Sequence, residues 1–183
     1  ISLYSLHTNF DVADNGLNEY LAKTLGLNDI SGLKTYMQDG LYKLVVFVPE
    51  DSLEKVQRAI FAAGAGWIGN YSDCSFYTAG TGTFRPLEGT NPYIGHTGAF
   101  ENVKEYRLEI IVPQNRLKDV VRNMLEVHPY EEVAYDIYRV EQAGHEYTLG
   151  RVGTLEKKLS ADEFVSLVKE KLNVSSVRTA GKA

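Results

Sequence analysis

The chain has 183 residues, 44% of them apolar and 23% charged, with a formal net charge of -5; this is the size of one large or two small globular domains. No dense Lys/Arg block occurs, which argues against nucleic acid as a main partner and against a polybasic membrane anchor, and no apolar run approaches the roughly 20 residues of a bilayer span. The single cysteine, Cys74, excludes an intrachain disulfide and a thiolate zinc cluster and points to a reducing cytoplasm.

The first residues form an apolar run, Ile1, Leu3 and Leu6, that reads as a strand and is followed by His7-Thr8-Asn9-Phe10-Asp11. With no initiator Met and no basic leader before it, this opening reads as a piece of a longer, cytoplasmic protein. A histidine and a carboxylate at a strand-to-helix turn stand where α/β proteins commonly place chemistry. Asp11 can serve as a metal ligand with His7 as a further ligand or as a partner behind it, or it can cap the following helix or turn, with Thr8 and Asn9 making turn hydrogen bonds. From the residues alone the cap is the more ordinary role, since one or two ligands do not hold a divalent ion.

Leu17, Tyr20, Leu21 and Leu25 have the spacing of a short amphipathic helix ending at Gly26. Residues 27–41, with their Gly and Asp turn signals, read as a linker. An internal repeat then sets the architecture of the middle. Tyr42 and Tyr106, Pro49 and Pro113, and Arg58 and Arg122 all stand 64 residues apart, within matching strand, Pro and helix patterns. Asp51 or Ser52, and Asn115, are candidate helix N-caps. Leu53, Val56, Ile60 and Leu117, Val120, Met124 fall at helical spacing. Gly64 closes the first helix and Pro129 the second. Further strands are expected around Trp67 to Thr78, extending toward Phe84, and over Val133 to Val140. Two β-α-β halves make a ferredoxin-like sandwich, with helices on one face of an antiparallel sheet, over about 42–141.

After a second linker, Gly144 to Gly150, a strand is expected from Gly150 to Leu159, and Ser160-Ala161-Asp162-Glu163 is a capping box for a helix reaching about Leu172. Val174 to Thr179 reads as a final strand. The fold class is therefore α/β (α+β): head and tail, residues 1–41 and 142–183, belong to one α/β domain interrupted by the insert.

Other candidate sites are weaker. The segment Thr78 to Val103 reads as a long glycine-rich loop suited to an anion, with Arg85 adding charge, or to subunit packing. His128-Pro129-Tyr130-Glu131-Glu132 reads as a helix stop, where a protonated histidine suits the helix dipole; Glu131 and Glu132, as neighbours on a strand, would face opposite ways. Cys74 has no basic neighbour and reads as a small buried residue. His145 reads as a solvated linker residue.

Leu6-His7-Thr8-Asn9-Phe10-Asp11-Val12-Ala13 and Asn15-Gly16-Leu17-Asn18-Glu19-Tyr20-Leu21-Ala22 closely resemble the NIF-three-like family, whose members are often described as type 2 GTP cyclohydrolase I homologues. Phe84-Arg85-Pro86-Leu87, Asn91-Pro92-Tyr93-Ile94-Gly95 and His128-Pro129-Tyr130-Glu131-Glu132 resemble the inserted domain of its longer bacterial members, and the last of these also resembles CutA-type proteins and the PII-like fold. The resemblance implies a two-metal centre, of zinc, manganese or iron, in which Asp11 is a bridging carboxylate; His7 carries over only as a neighbour. The family's other ligands, a histidine pair upstream and a histidine and glutamate near the C-terminus, have no counterpart here, and His96, His128 and His145 do not match them. The resemblance further implies a homohexamer. Two functions follow as alternatives: a metal-dependent hydrolase acting on a nucleotide or related small molecule, or a non-catalytic module whose insert binds a small ligand or organises a homo-oligomer. Metal storage or delivery is a third.

Overall fold

Five α-helices and six β-strands make up the described residues, 2–181, of the computed structural model. They divide into two units: residues 39–144, and residues 2–38 together with 145–181.

The inner unit is built on the repeat. Strand β2 (Leu41–Pro49) leads through a short 3-10 turn into α3 (Leu53–Ala62), and β4 (Glu101–Pro113) leads likewise into α4 (Leu117–Val127). With β3 (Ser75–Phe84) and β5 (Tyr135–Val140) the strands lie in the order β3-β4-β2-β5, all antiparallel to their neighbours. This is the ferredoxin-like arrangement. In the register of β2 with β4, Val45 stands opposite Glu109, residues that are themselves 64 apart. The pseudo-two-fold axis of the repeat therefore passes through that pair.

Strand alternation sorts the residues onto two faces. Leu44, Val46, Val48, Leu108, Ile110 and Val112 face the helices and, with Val56 and Ile60 of α3 and Val120 and Met124 of α4, form the core. The opposite face carries Lys43, Arg107 and Glu109, where Glu109 pairs with Lys43 at 3.0 Å and Arg107 at 3.1 Å. These cations, the Lys43 hydrogen bond first, hold the Glu109 carboxyl below the usual range.

Several boundaries differ from the sequence reading. Ser52 precedes α3 without a capping hydrogen bond from its side chain, and Asn115 lies inside the second 3-10 turn. The strand expected to extend toward Phe84 does so, as Ser75–Phe84, and the loop expected from Thr78 to Val103 is confined to Arg85 to Phe100. Glycine-rich β-structure resembles loop because Gly80 and Gly82 lack the β-branched signature, yet glycine also marks close approach inside a strand.

In the outer unit, α1 (Thr8–Asp11) and α2 (Leu17–Thr24) precede β1 (Leu27–Gln38), which pairs antiparallel with β6 (Glu146–Leu155) before α5 (Ala161–Leu172). Both expected linkers thus contain strand. Asp29, at φ 49°, falls where the β1 register shifts between Asn28 and Ser31: the turn-forming residues mark a bulge rather than a linker. Gly32 lies so close to Thr148 across the pair that a Cβ there would overlap it. The capping box forms as expected, Ser160 Oγ accepting from Glu163 N–H while Glu163 accepts from Ser160 N–H. Asn173, left-handed at φ 54°, ends α5, and no strand follows over Val174 to Thr179. Residues 2–6 also form no strand, since no neighbouring backbone pairs with them; Ile1, from the same apolar run, lies outside the described residues, as do positions 182 and 183. Among the described residues no helix is long and apolar enough to cross a membrane.

Met124, fully buried between α4 and the sheet, tests the core. Met124→Ala is expected to lower unfolding stability by about 2–5 kcal/mol, read as a shifted urea midpoint; a loss below about 0.5 kcal/mol would show that the core lies elsewhere.

Candidate functional site

Two places carry the residues singled out by the sequence. Asp11 ends the short helix α1, a partly buried residue. Its backbone C=O accepts from Asn18 Nδ2 at 2.9 Å. The helix that follows is capped by Gly16, with no side-chain cap, so the capping role expected for Asp11 is not the one its carboxylate plays. His7 Nδ1 lies 2.9 Å from Thr8 Oγ1, and the His7 backbone N–H donates to Asn9 Oδ1. Asp11 and His7 do not by themselves suffice for a metal: among the described residues no group of three or more His, Cys, Asp or Glu is arranged to hold one. His145, expected to be solvated and alone, pairs with Asp14 at 3.1 Å and stacks edge-on against Tyr147.

The second place is in the inner unit. The Arg85–Phe100 connection arches beside the ends of β2 and β4 and encloses a cavity of about 430 Å³. The connection is braced internally: Arg85 Nη1 donates to Gly98 C=O at 2.7 Å and its guanidinium stands over the Phe100 ring. It is also tied to the body of the unit. Tyr93 Oη donates to Asp51 Oδ2 at 2.8 Å, and Asn91 N–H donates to the Glu131 carboxylate at 3.0 Å. Asp51, expected as a helix cap, is thus a loop anchor, and its carboxylate raises the Tyr93 hydroxyl pKa.

Tyr130 stands at the centre of the cavity wall. Its ring packs against Phe84, Tyr93 and His128 at centroid distances of 6.4, 6.1 and 5.0 Å. Its hydroxyl donates to Glu105 Oε1 at 2.8 Å; burial first, then this carboxylate, push the hydroxyl pKa strongly up, so it stays a donor. Glu105 is only 8% exposed. It lies on the sheet face away from the helices, opposite Gly80 and diagonal to Gly82. A Cβ at position 82 would overlap Glu105 Oε2. Gly82 is therefore the space that the carboxylate occupies.

His128 supports this wall from behind. Although it ends α4, it is 7% exposed, not a solvated end group. Its Nδ1 accepts from Tyr130 N–H at 3.2 Å, so the ring proton sits on Nε2 and is donated to Phe47 C=O at 3.1 Å. Burial lowers its pKa, the reverse of what a helix dipole acting on an exposed histidine would do. Glu131 and Glu132 precede β5 rather than lie on it, and both line the cavity. None of the residues lining it is basic, and Arg85, expected to add charge for an anion, is instead engaged with Gly98 C=O and the Phe100 ring. Cys74 is half-buried, with Sγ near the Tyr71 and Ser72 carbonyls.

Residues 1–183 match the Duf34/NIF3 (NGG1p interacting factor 3) family over their whole length. The chain belongs to this family. It is 49% identical over 183 residues to the GTP cyclohydrolase 1 type 2 homolog of Bacillus subtilis (strain 168), covering all of this chain and 49% of that protein. The crystal structure of a Bacillus cereus protein related to NIF3 superposes with TM-score 0.86 at 43% identity, covering 96% of this chain and 46% of that one. CutA from Synechococcus elongatus PCC7942 aligns over 62% of this chain and 83% of its own, with TM-score 0.42 at 16% identity. The chain spans about half the length of the curated relatives it matches.

The tautomer of His128 makes a pH prediction. Its folded-state pKa lies below the ordinary 6.5, so its contribution to stability is complete above that value and is lost as the pH falls through the folded-state pKa. His128→Gln keeps a donor toward Phe47 without a titrating ring. Between about pH 8 and about pH 5.5 the wild-type urea midpoint is expected to fall more than that of the variant. Parallel curves would show that His128 carries no such linkage. The carboxyls with lowered pKa, Glu19, Glu109 and Glu163, act at lower pH and do not mimic it.

Proposed function

We propose that the full-length protein carrying this chain is a metal-dependent hydrolase acting on a nucleotide or related small molecule, and that Asp11 is one ligand of its metal centre. The observation that carries this reading is the state of the Asp11 carboxylate. It sits at a turn between helices, neither capping α2 nor holding a hydrogen bond among the described residues. The names of the 37–49% identical relatives as GTP cyclohydrolase 1 type 2 homologs support GTP as the first substrate to assay. Because the described residues do not complete a ligand set, the remaining ligands belong to the rest of the protein. Divalent zinc, manganese or iron, two ions per subunit, and assembly as a cytoplasmic homohexamer are parts of the same reading. Asp11→Asn in the full-length protein is expected to lower metal affinity about ten-fold or more, measured by elemental analysis after dialysis, and to lower metal-dependent turnover of GTP with it. Unchanged metal content would remove Asp11 from the centre; absent turnover with any of the three metals would refute the hydrolase.

The cavity of the inner unit favours a second reading, in which this domain binds a small ligand and regulates the protein. Its volume falls in the range of small-molecule sites, and its wall combines aromatic and proline side chains with a few fixed polar groups.

A further inference from the structure

We propose that the cavity between Glu105, Tyr130 and the Arg85–Phe100 connection selects a small organic cation: an ammonium or amidinium group on an aromatic or alkyl body. This rests on the second reading above and names its ligand class.

The argument starts from Glu105. A carboxylate this deeply buried is costly unless its charge is met. One oxygen accepts from Tyr130 Oη. For Oε2 there is no hydrogen bond and for the carboxylate no basic partner among the described residues, although no fully buried polar atom is left unsatisfied. Oε2 therefore opens onto the cavity that Glu105 lines. The sequence has made room for this arrangement, since any side chain at position 82 would displace the carboxylate. Of the other carboxylates in the wall, Glu131 accepts from Asn91 N–H, and Glu132 has no donor among the described residues.

Three ligand classes are excluded or disfavoured by the same wall. An anion would face carboxylates and no basic residue. A bare metal ion needs three or more convergent donors, and the described residues offer no such group. A wholly neutral apolar molecule would fill the space but leave Glu105 Oε2 without a donor. An organic cation answers both halves of the site. Its charge meets Glu105, and its body packs among Phe47, Phe84, Tyr93 and Tyr130, whose ring faces attract cations when shielded from water. The hydrogen bonds from Tyr93 to Asp51 and from Asn91 to Glu131 hold the loop wall in place without the ligand, so binding does not have to order it first.

Three phenyl probes separate charge from size: 2-phenylethylammonium and 2-phenylethanol, which match in heavy-atom shape, and the anion 3-phenylpropionate, which shares their phenylethyl body. Binding to the full-length protein is measured by calorimetry and by saturation-transfer NMR. The ammonium probe is expected to bind at least about ten-fold more tightly than the alcohol, and the carboxylate more weakly than either. In Glu105→Gln, which still accepts from Tyr130, the ammonium advantage is expected to fall to about two-fold or less, with alcohol affinity unchanged. Phe84→Leu, which leaves the carboxylate in place, is expected to weaken the ammonium probe more than the alcohol. Should Glu105→Gln fail to fold, this second variant and intermolecular NMR contacts from the probe to Tyr130 decide. Equal affinity for ammonium and alcohol, or an ammonium preference that survives Glu105→Gln, overturns the cation proposal while leaving a ligand-binding domain. Failure of all three probes to bind at millimolar concentration overturns both.

Discussion

The pairing of β2 with β4 is the constraint on which the inner unit depends. Its register brings the two copies of a 64-residue repeat together at Val45 and Glu109. Once that pair is fixed, period-two alternation sends Leu44, Val46, Leu108 and Ile110 toward the helices and Lys43, Phe47, Glu105 and Arg107 away from them. A shift of one residue would exchange these sets, placing four charged or aromatic residues beneath α3 and α4. The core and the cavity wall are two consequences of one register, and neither can be altered without the other.

The repeat is symmetric, but its use is not. The β2–α3 half and the β4–α4 half supply matching strands, turns and helices, whereas the long connection between β3 and β4 has no counterpart between β5 and β6. That inserted arch encloses the cavity, and its anchors are unlike pairs: a phenol on Asp51 and a backbone N–H on Glu131. The buried histidine reinforces the asymmetry. With its Nδ1 committed to Tyr130 N–H and its Nε2–H to Phe47 C=O, His128 joins the end of α4 to the end of β2 and fixes the ring of Tyr130 from below. Tyr130 is thereby oriented toward Glu105, and rigid orientation of the groups that meet a ligand is what reduces the entropic cost of binding it.

How much of this was legible in the sequence depended on where the signal lay. The repeat was legible because a buried two-layer sandwich imposes strong patterns: β-branched strands, Pro at their exits, apolar residues at helical spacing. The strands β1 and β6 were obscured because they are largely exposed and polar, and because Asp29 and Gly32 serve a bulge and a close strand approach instead of a turn. Asp51 and Asn115 have cap-forming side chains, yet the chain enters both helices through 3-10 turns, which leaves Asp51 to anchor Tyr93. The cavity was hardest to see, since it joins Phe47, Glu105 and Tyr130 from distant positions. The clues were Glu105 within an alternating strand and two glycines, Gly80 and Gly82, beside it. Asp11 stood out by its family motif and not by its spacing.

The two units differ in how self-contained their chemistry is, and the reason is topological. Every strand of the four-stranded sheet, and every residue lining the cavity, comes from the continuous segment 39–144. The outer unit is assembled from two separated segments around a two-stranded sheet, a size that is marginal without further packing. It leaves Leu3, Tyr4, Tyr20 and Leu33 well exposed. A binding pocket needs only walls, which a four-stranded sheet and one braced loop can provide. A metal centre needs several donors converging on a point, and that demands a framework broad enough to hold them. Among the described residues the outer unit brings Asp11 and His7 to one turn, without a group of three or more His, Cys, Asp or Glu around a point. A walled cavity within one continuous segment, and a single turn carrying Asp11 and His7 in the unit built from two segments, are therefore what this division of the fold produces.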